Sequence, residues 1–435
     1  TDLRNSDVKF TFDLVKRYGG FNLSRKFDFS NVKSISTSGD LEIIFELNKP
    51  DDNFNEKLAD IPIISENYYK TALREGYAVF DKRDPNGMGP FVFEFQTENV
   101  LSLAYHSDYY SGRPFLDEVK IQFFPDERAL IDAWVNGDVD CIELPDPVTM
   151  RRIQQLMERK IVVFGIPRTE KKLHTMLFNV NRFPLSEPEV RKAISLAINR
   201  DGIVARYMEN IGEVANMLFD ETHPNYEKSL YKEKYNPKEA LKVLNRAGWQ
   251  FNRQTLMMEK GAQPLSFKLF FSRNSTLELS IARAIKLDLA EININVQPVP
   301  VSVNSKDSLL EISNYESMLY TYSYDFRYLF NAFDDFFYKV LGANQKRPNY
   351  QNRYLNRLFD LVRDKKDQHK NLYQRFQTFS AREIPAIYLF FDEQVLIGLD
   401  SRFEKYRTVV QENRRSYFRL NPIENWFVPK ELQKY

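Results

Sequence analysis

Leu173 to Ile203, LHTMLFNVNRFPLSEPEVRKAISLAINRDGI, is the stretch whose reading decides the fold. Met176-Leu177-Phe178-Asn179-Val180 is an apolar run short enough to be a strand. A loop follows. Ser186 and Glu189 are spaced as a capping box, with Pro188 in the first helical turn, where its missing N–H is harmless. Val190, Ala193, Ile194, Ala197 and Ile198 recur at helical spacing and predict one buried stripe. Asn199-Arg200-Asp201-Gly202 interrupts the stripe before Ile203 and Val204 resume it.

Downstream, Asn236-Pro237-Lys238-Glu239 is a helix start, with Ala240, Leu241, Leu244 and Ala247 as its buried face and Gly248 as its stop. Leu265 to Phe271 reads as a strand, Ser275 and Glu278 as caps of a helix carrying Ile281, Ile285 and Leu289, and Ile292 to Val301 as the next strand. Strand, helix, strand at this spacing predicts a parallel pair with helices over its faces. Ser317 to Tyr322 is another strand, helices are expected over about 352–364 and 370–381, and Ile384 to Phe391 and Gln394 to Leu399 read as two more strands.

Upstream, a helix is expected over residues 6–18 and a strand over Leu41 to Leu47, with a strong turn cluster at Asp81 to Gly89. Phe91 to Phe95, Leu101 to Tyr105 and Val119 to Phe123 alternate with period two, as half-buried strands do. Asp126 caps a helix with the stripe Ala129, Leu130, Ala133 and Trp134, Asp146-Pro147 opens another, and Ile161 to Phe164 is a strand.

At 435 residues the chain exceeds one hydrophobic core and predicts two or three domains. Its 61 basic and 60 acidic residues leave a net charge of +1, which argues against nucleic acid as a partner. No apolar run reaches the ~20 residues of a membrane helix. One cysteine, Cys141, excludes an internal disulfide, and its apolar neighbours predict a buried thiol. His106, His174, His223 and His369 show no ligand spacing, so no metal and no cofactor is expected. No nucleophile, metalloprotease, P-loop or dinucleotide motif occurs, so the reading is of a protein that binds and does not catalyse.

The opening stretch resembles the signature of the family 5 extracellular solute-binding proteins, the peptide-binding subunits of ABC importers. The likeness is carried by Phe178-Asn179 and by Val190 to Arg200, VRKAISLAINR. It continues in Asp2 to Phe12, Gly87 to Phe91, His106 to Leu116 (HSDYYSGRPFL), Val135 to Asp140, and Tyr235 to Trp249. It implies an α/β, two-lobed periplasmic-binding-protein-like fold (type II, cluster C), with mixed sheets flanked by helices. Residues 1–84 would be the remainder of a subdomain inserted in lobe I, 85–175 lobe I itself, 176–395 lobe II, and 396–435 a return to lobe I. Residues 2–12 resemble a segment well inside the family's mature proteins, so an export signal and the first strands of lobe I would precede it.

The candidate site is Tyr322-Ser323-Tyr324-Asp325-Phe326, a carboxylate among aromatic rings where a strand ends, the edge at which α/β sheets bind ligands. From the residues alone Asp325 reads as the first residue of a turn. The resemblance makes it the anchor for a peptide's amino terminus, with Tyr322 in the place of a family Trp. Tyr324 and the run Arg327-Tyr328-Leu329 depart from the family pattern. Asn179 stands either as a cap of its own turn or as a ligand contact, and Phe390 and Phe391 either as core or as pocket lining.

The resemblance therefore implies capture of di- or oligopeptides between two lobes by a monomer, and delivery to the membrane permease of an ABC transporter. It implies a periplasmic or extracellular location, with or without a lipid anchor. Two other readings stay open: the ligand-sensing domain of a transcription regulator, and a binding protein for oligosaccharide, nickel chelate or opine.

Overall fold

The computed structural model describes the chain apart from residues 1–2, 19–28, 40, 52–53, 60, 76–83, 145, 156–159, 210, 220–225, 228, 230–232, 325–335, 337–356, 358–368, 413–414 and 434–435. It divides into two units: Thr1–Pro125 with Arg402–Tyr406 and Asn421–Tyr435, and Asp126–Ser401 with Arg407–Leu420.

In the first unit, helix α1 (Asn5–Tyr18) lays Phe12 and Val15 on the hairpin of β1 (Val32–Ser38) and β2 (Glu42–Leu47). Phe12 meets Phe45 edge-on at 5.1 Å, the geometry that aromatic quadrupoles favour. Helices α2 (Phe54–Ala59) and α3 (Glu66–Glu75) follow. The three alternating runs form an antiparallel meander, β3 (Phe91–Gln96), β4 (Val100–Tyr105) and β5 (Glu118–Gln122). The aromatic tail packs in this unit, Phe427 against Phe115 at 5.9 Å and Glu424 on the Tyr109 hydroxyl at 3.3 Å.

The second unit is built on a seven-stranded mixed sheet. It opens with α4 (Glu127–Asn136), β6 (Cys141–Leu144), α5 (Pro147–Gln154) and the long β7 (Ile161–Phe178). Next come α6 (Pro188–Ala197), α7 (Arg200–Tyr207), β8 (Gly212–Val214), α8 (Pro237–Arg246) and the small meander β9–β11 (Gln250–Asn252, Met257–Lys260, Gln263–Pro264). Then follow β12 (Ser266–Ser272), α9 (Thr276–Ala290), β13 (Asn295–Val301), α10 (Val303–Glu311), β14 (Ser317–Tyr324), α11 (His369–Glu383) and β15 (Ala386–Asp400). Strand order is β13-β12-β14-β7-β15-β6, with β8 also on β15, and a hairpin of β16 (Arg407–Glu412) and β17 (Arg415–Leu420) closes the unit. β13 runs parallel to β12, as the strand–helix–strand spacing predicted, and β14 lies parallel on the other side of β12. The opening stripe is buried as expected: Val190, Ala193, Ile194, Ala197 and Ile198 join Phe267, Leu269 and Ile285 in one core.

Several local expectations change. Ser186 does not cap α6; Glu187 takes that position without a side-chain cap bond, and Ser186 N instead closes a turn onto Arg182 O at 2.8 Å. The Glu187 carboxylate is engaged elsewhere, accepting from Trp249 Nε1 at 3.0 Å and Lys260 Nζ at 2.9 Å. The two strands expected over 384–399 are one strand, and Ile161 to Phe178 is likewise continuous. The expected lobe boundary at 175/176 therefore falls inside the central sheet, because β7 passes through it in a single run. Cys141 stands on the exposed side of β6, whose alternate residues Ile142 and Leu144 take the core side. The expected helix over 352–364 lies almost wholly outside the described residues.

The pairing of β7 with β15 lapses part-way. Asp392 faces Lys172 and Gln394 faces Pro167, so residues 168–171 of β7 stand against Glu393 alone. Arg168 and Asp392 form a buried ion pair at 3.0 Å beside this lapse. Further along β15, Gly398 lets the strand approach the buried Trp134 ring, which a Cβ there would meet at 2.5 Å.

Candidate functional site

The parallel strands β12, β13 and β14 end at Ser272, Val301 and Tyr324, the carboxyl edge where open α/β sheets take ligands. At the end of β12 lies a cavity of about 520 Å³, lined by Glu127 and Arg128 on α4, Thr149 on α5, and Arg273, Asn274 and Thr276. Three helices begin around it. Asp126 Oδ1 accepts from Ala129 N at 2.8 Å, Asp146 Oδ1 from Thr149 N at 2.8 Å, and Ser275 Oγ from Glu278 N at 3.1 Å. These caps use the sequence signals read above and satisfy backbone donors that would otherwise be orphaned. Half-burial, and then the charge of Asp146, push the Glu127 carboxyl up to about 7. Carboxyl and guanidinium side chains thus border one concave surface suited to a polar ligand.

The Ser275–Glu278 box is not reciprocal. Glu278 Oε2 reaches past Ser275 to accept from Ser272 N at 2.6 Å, and Lys306 of α10 donates to both carboxylate oxygens at 2.7 and 2.9 Å. Both side chains of the pair are about nine-tenths buried. The pair clamps the end of β12 between a helix on one side of the strand order and the crossover to β14. No local pattern announces it, since its members stand 28 residues apart.

The predicted site residues separate. Tyr324 is the last residue of β14. Asp325 and Phe326 lie outside the described residues. Tyr322 is buried in an apolar cluster, edge-on to Phe336 at 5.2 Å. Asn179 is a structural residue: its Nδ2 donates to Ser313 O at 3.0 Å and Tyr315 O at 2.8 Å, and its Oδ1 accepts from Asn181 N at 3.2 Å. Its amide is therefore spent on the turn that feeds β14. Phe390 and Phe391 are core, at 0% and 2% exposure in different apolar clusters. The unbroken apolar run over 386–391 is the signal for that, because a strand covered on both faces does not alternate.

Arg191 and Arg200, at the ends of the signature helix run, serve the fold as well. Arg191 is 2% exposed and donates to the carbonyls of Leu185, Ser186, Glu383 and Ile384. Arg200 donates to those of Ala215, Tyr388 and Glu233. Buried guanidinium groups of this kind staple the segments before β15 and after β8 onto α6 and α7. Among the described residues no cluster of His, Cys, Asp and Glu could hold a metal ion.

The model of the bacterial extracellular solute-binding proteins, family 5 Middle, matches residues 1–343. The chain belongs to that family. The oligopeptide-binding protein AppA of Bacillus subtilis is 25% identical over 446 residues, covering 99% of this chain and 78% of its own length. Brucella relatives named as putative ABC transporter peptide-binding proteins are 24% identical over 320 residues, and this chain spans only 56% of their length. Among solved structures, AppA from Bacillus subtilis in complex with a nonapeptide superposes with a TM-score of 0.61 at 24% identity, covering 99% of this chain and 84% of that one. The periplasmic-binding-protein-like α/β fold expected from the sequence is the fold observed.

Proposed function

We propose that this family 5 solute-binding protein captures peptides and delivers them to the permease of an ABC transporter, acting as a monomer outside the cytoplasmic membrane. The observation that carries the reading is the family match over residues 1–343, joined to a sheet whose parallel strands end beside a polar cavity. The name and bound nonapeptide of AppA supply the ligand class. Asp325, immediately beyond Tyr324 at the end of β14, is the proposed partner of the peptide's ammonium group. Capture and release leave the ligand's covalent bonds unchanged. No helix among the described residues is long and apolar enough to cross a membrane.

Removing a desolvated ion partner costs about 2–5 kcal/mol of binding. Mass spectrometry of ligands that co-purify identifies the best peptide, and calorimetry compares it on the wild type and Asp325→Asn. A dissociation constant raised roughly 30-fold or more fits the proposal. An unchanged constant removes Asp325 from the site, and co-purification of a non-peptide solute removes the ligand class.

A further inference from the structure

Asn-Gly occurs twice in the chain, at Asn86-Gly87 and at Asn136-Gly137, and the fold treats the two pairs differently. The dipeptide is chemically labile because glycine has no side chain to shield its backbone nitrogen, which can reach the carbonyl carbon of the Asn side chain before it. The reaction is intramolecular, so its rate depends on how freely those two atoms can meet. Both asparagines are exposed, and exposure alone does not separate them.

Asn136 is the last residue of α4, and Gly137 caps that helix in the left-handed region at φ 85°. The Gly137 N–H donates back to the Trp134 carbonyl at 3.1 Å, and the N–H of Asp138 donates to Ala133 O at 2.9 Å. Bonds of this kind satisfy the last carbonyls of a helix. The nitrogen that would attack is therefore engaged, and the peptide unit that carries it is held in place.

Asn86-Gly87 lies in the turn cluster between α3 and β3. The chain is tied down on both sides of the pair. Asn86 N donates to the Tyr69 hydroxyl of α3 at 3.2 Å, and that hydroxyl donates to Asp84 O at 3.4 Å. Beyond the pair, His106 Nδ1 lies 3.0 Å from Gly89 O, and His106 N donates to Pro90 O at 2.9 Å. Between these ties, among the described residues, neither Gly87 N nor the Asn86 side chain makes a hydrogen bond. A Cβ on Gly87 would meet nothing within 4 Å, and its φ is not in the left-handed region.

We propose that Asn86 is a site of spontaneous deamidation, and that its helix cap protects Asn136 from the same reaction. Hydroxide removes the Gly87 N–H proton, and the nitrogen forms a bond to Cγ of Asn86. The bond from Cγ to the side-chain nitrogen breaks, and that nitrogen leaves as ammonia after taking a proton from water. Water then opens the cyclic imide. Cleavage of the new Cγ–N bond gives aspartate, and cleavage of the bond from the Asn86 backbone carbonyl carbon to the same nitrogen gives isoaspartate. Either product adds a carboxylate to the 60 acidic residues and takes the net charge from +1 to zero. Isoaspartate also lengthens the main chain between the Tyr69 and His106 ties, so the two products differ in backbone as well as in charge from the parent turn.

The whole folded protein is incubated at pH 8 and sampled over time by peptide mapping with mass spectrometry. Asn86 should convert about tenfold or more faster than Asn136, since the Gly137 nitrogen must first leave its hydrogen bond. Gly87→Ala, whose methyl group the open turn accommodates, should slow conversion at Asn86 and leave that at Asn136 unchanged. In urea, where the cap is lost, the two sites should convert at matching rates. Equal rates in the folded protein, or no conversion at Asn86, overturn the proposal. A difference that persists in urea belongs to the neighbouring residues and not to the fold, and overturns it as well.

Discussion

Replacing His174 with Phe should remove a specific, calculable part of the protein's sensitivity to acid. The native ring resists protonation down to about 3, because it is buried and faces three cations. In the unfolded chain the same ring titrates near ~6.5. A histidine depressed in the native state contributes stability that is fully present above the unfolded value and is lost as pH falls toward the native one. Between pH 7 and pH 5 the unfolded ring gains most of a proton while the native ring gains almost none. Integrating that difference gives about 2 kcal/mol of stability lost by the wild type and absent from the variant. Phe keeps the stack on Phe390 and carries no proton, whereas the carboxylates titrate alike in both proteins and cancel. Urea unfolding followed by tryptophan fluorescence at the two pH values yields the four free energies needed. If His174→Phe loses stability on acidification as steeply as the wild type, to within about 0.5 kcal/mol, the reasoning fails. His174 is then hydrated or charged in the native protein.

Lys306→Met should cost about 3–5 kcal/mol, since it strands the Glu278 carboxylate in the interior. Adding Glu278→Gln should recover most of that while keeping the acceptor for Ser272 N, and denaturant midpoints of the single and double variants decide it. Asn179→Ala leaves the carbonyls of Ser313 and Tyr315 without donors and should destabilise by about 1–3 kcal/mol. Calorimetry at a temperature where this variant is folded should find its peptide affinity unchanged. The Glu127 carboxyl is raised to about 7, so between its unfolded value and that pH the native state holds more protons and stability falls as pH rises. Glu127→Gln should accordingly melt higher than the wild type at pH 8 and no higher at pH 4.

Strands and helices were legible wherever local periodicity and caps agree. The stripe from Val190 to Ile198 and the caps at Asp126, Asp146, Asn236 and Ser275 all stand where the residues place them. These signals act within one or two turns of chain, so no tertiary context is needed to read them. The Ser186 cap failed because Glu187, committed to Trp249 and Lys260 from distant segments, occupies the position at which α6 begins.

The site was less legible, because the meaning of a polar residue depends on what lies across the sheet from it. Asn179 looks the same in sequence whether its amide meets a ligand or, as here, two carbonyls more than a hundred residues away. His174 sits in an apolar run with no ligand spacing; only the arrival of β14 and β15 beside β7 buries it, stacks it and surrounds it with charge. The chain by itself thus determined the family, the order of elements and their parallel pairing, since those rest on patterns repeated along the backbone. Tertiary structure alone decided which charges are buried, which are paired and which donors are left over. Burial and pairing are properties of space between segments, and no local pattern of residues encodes them.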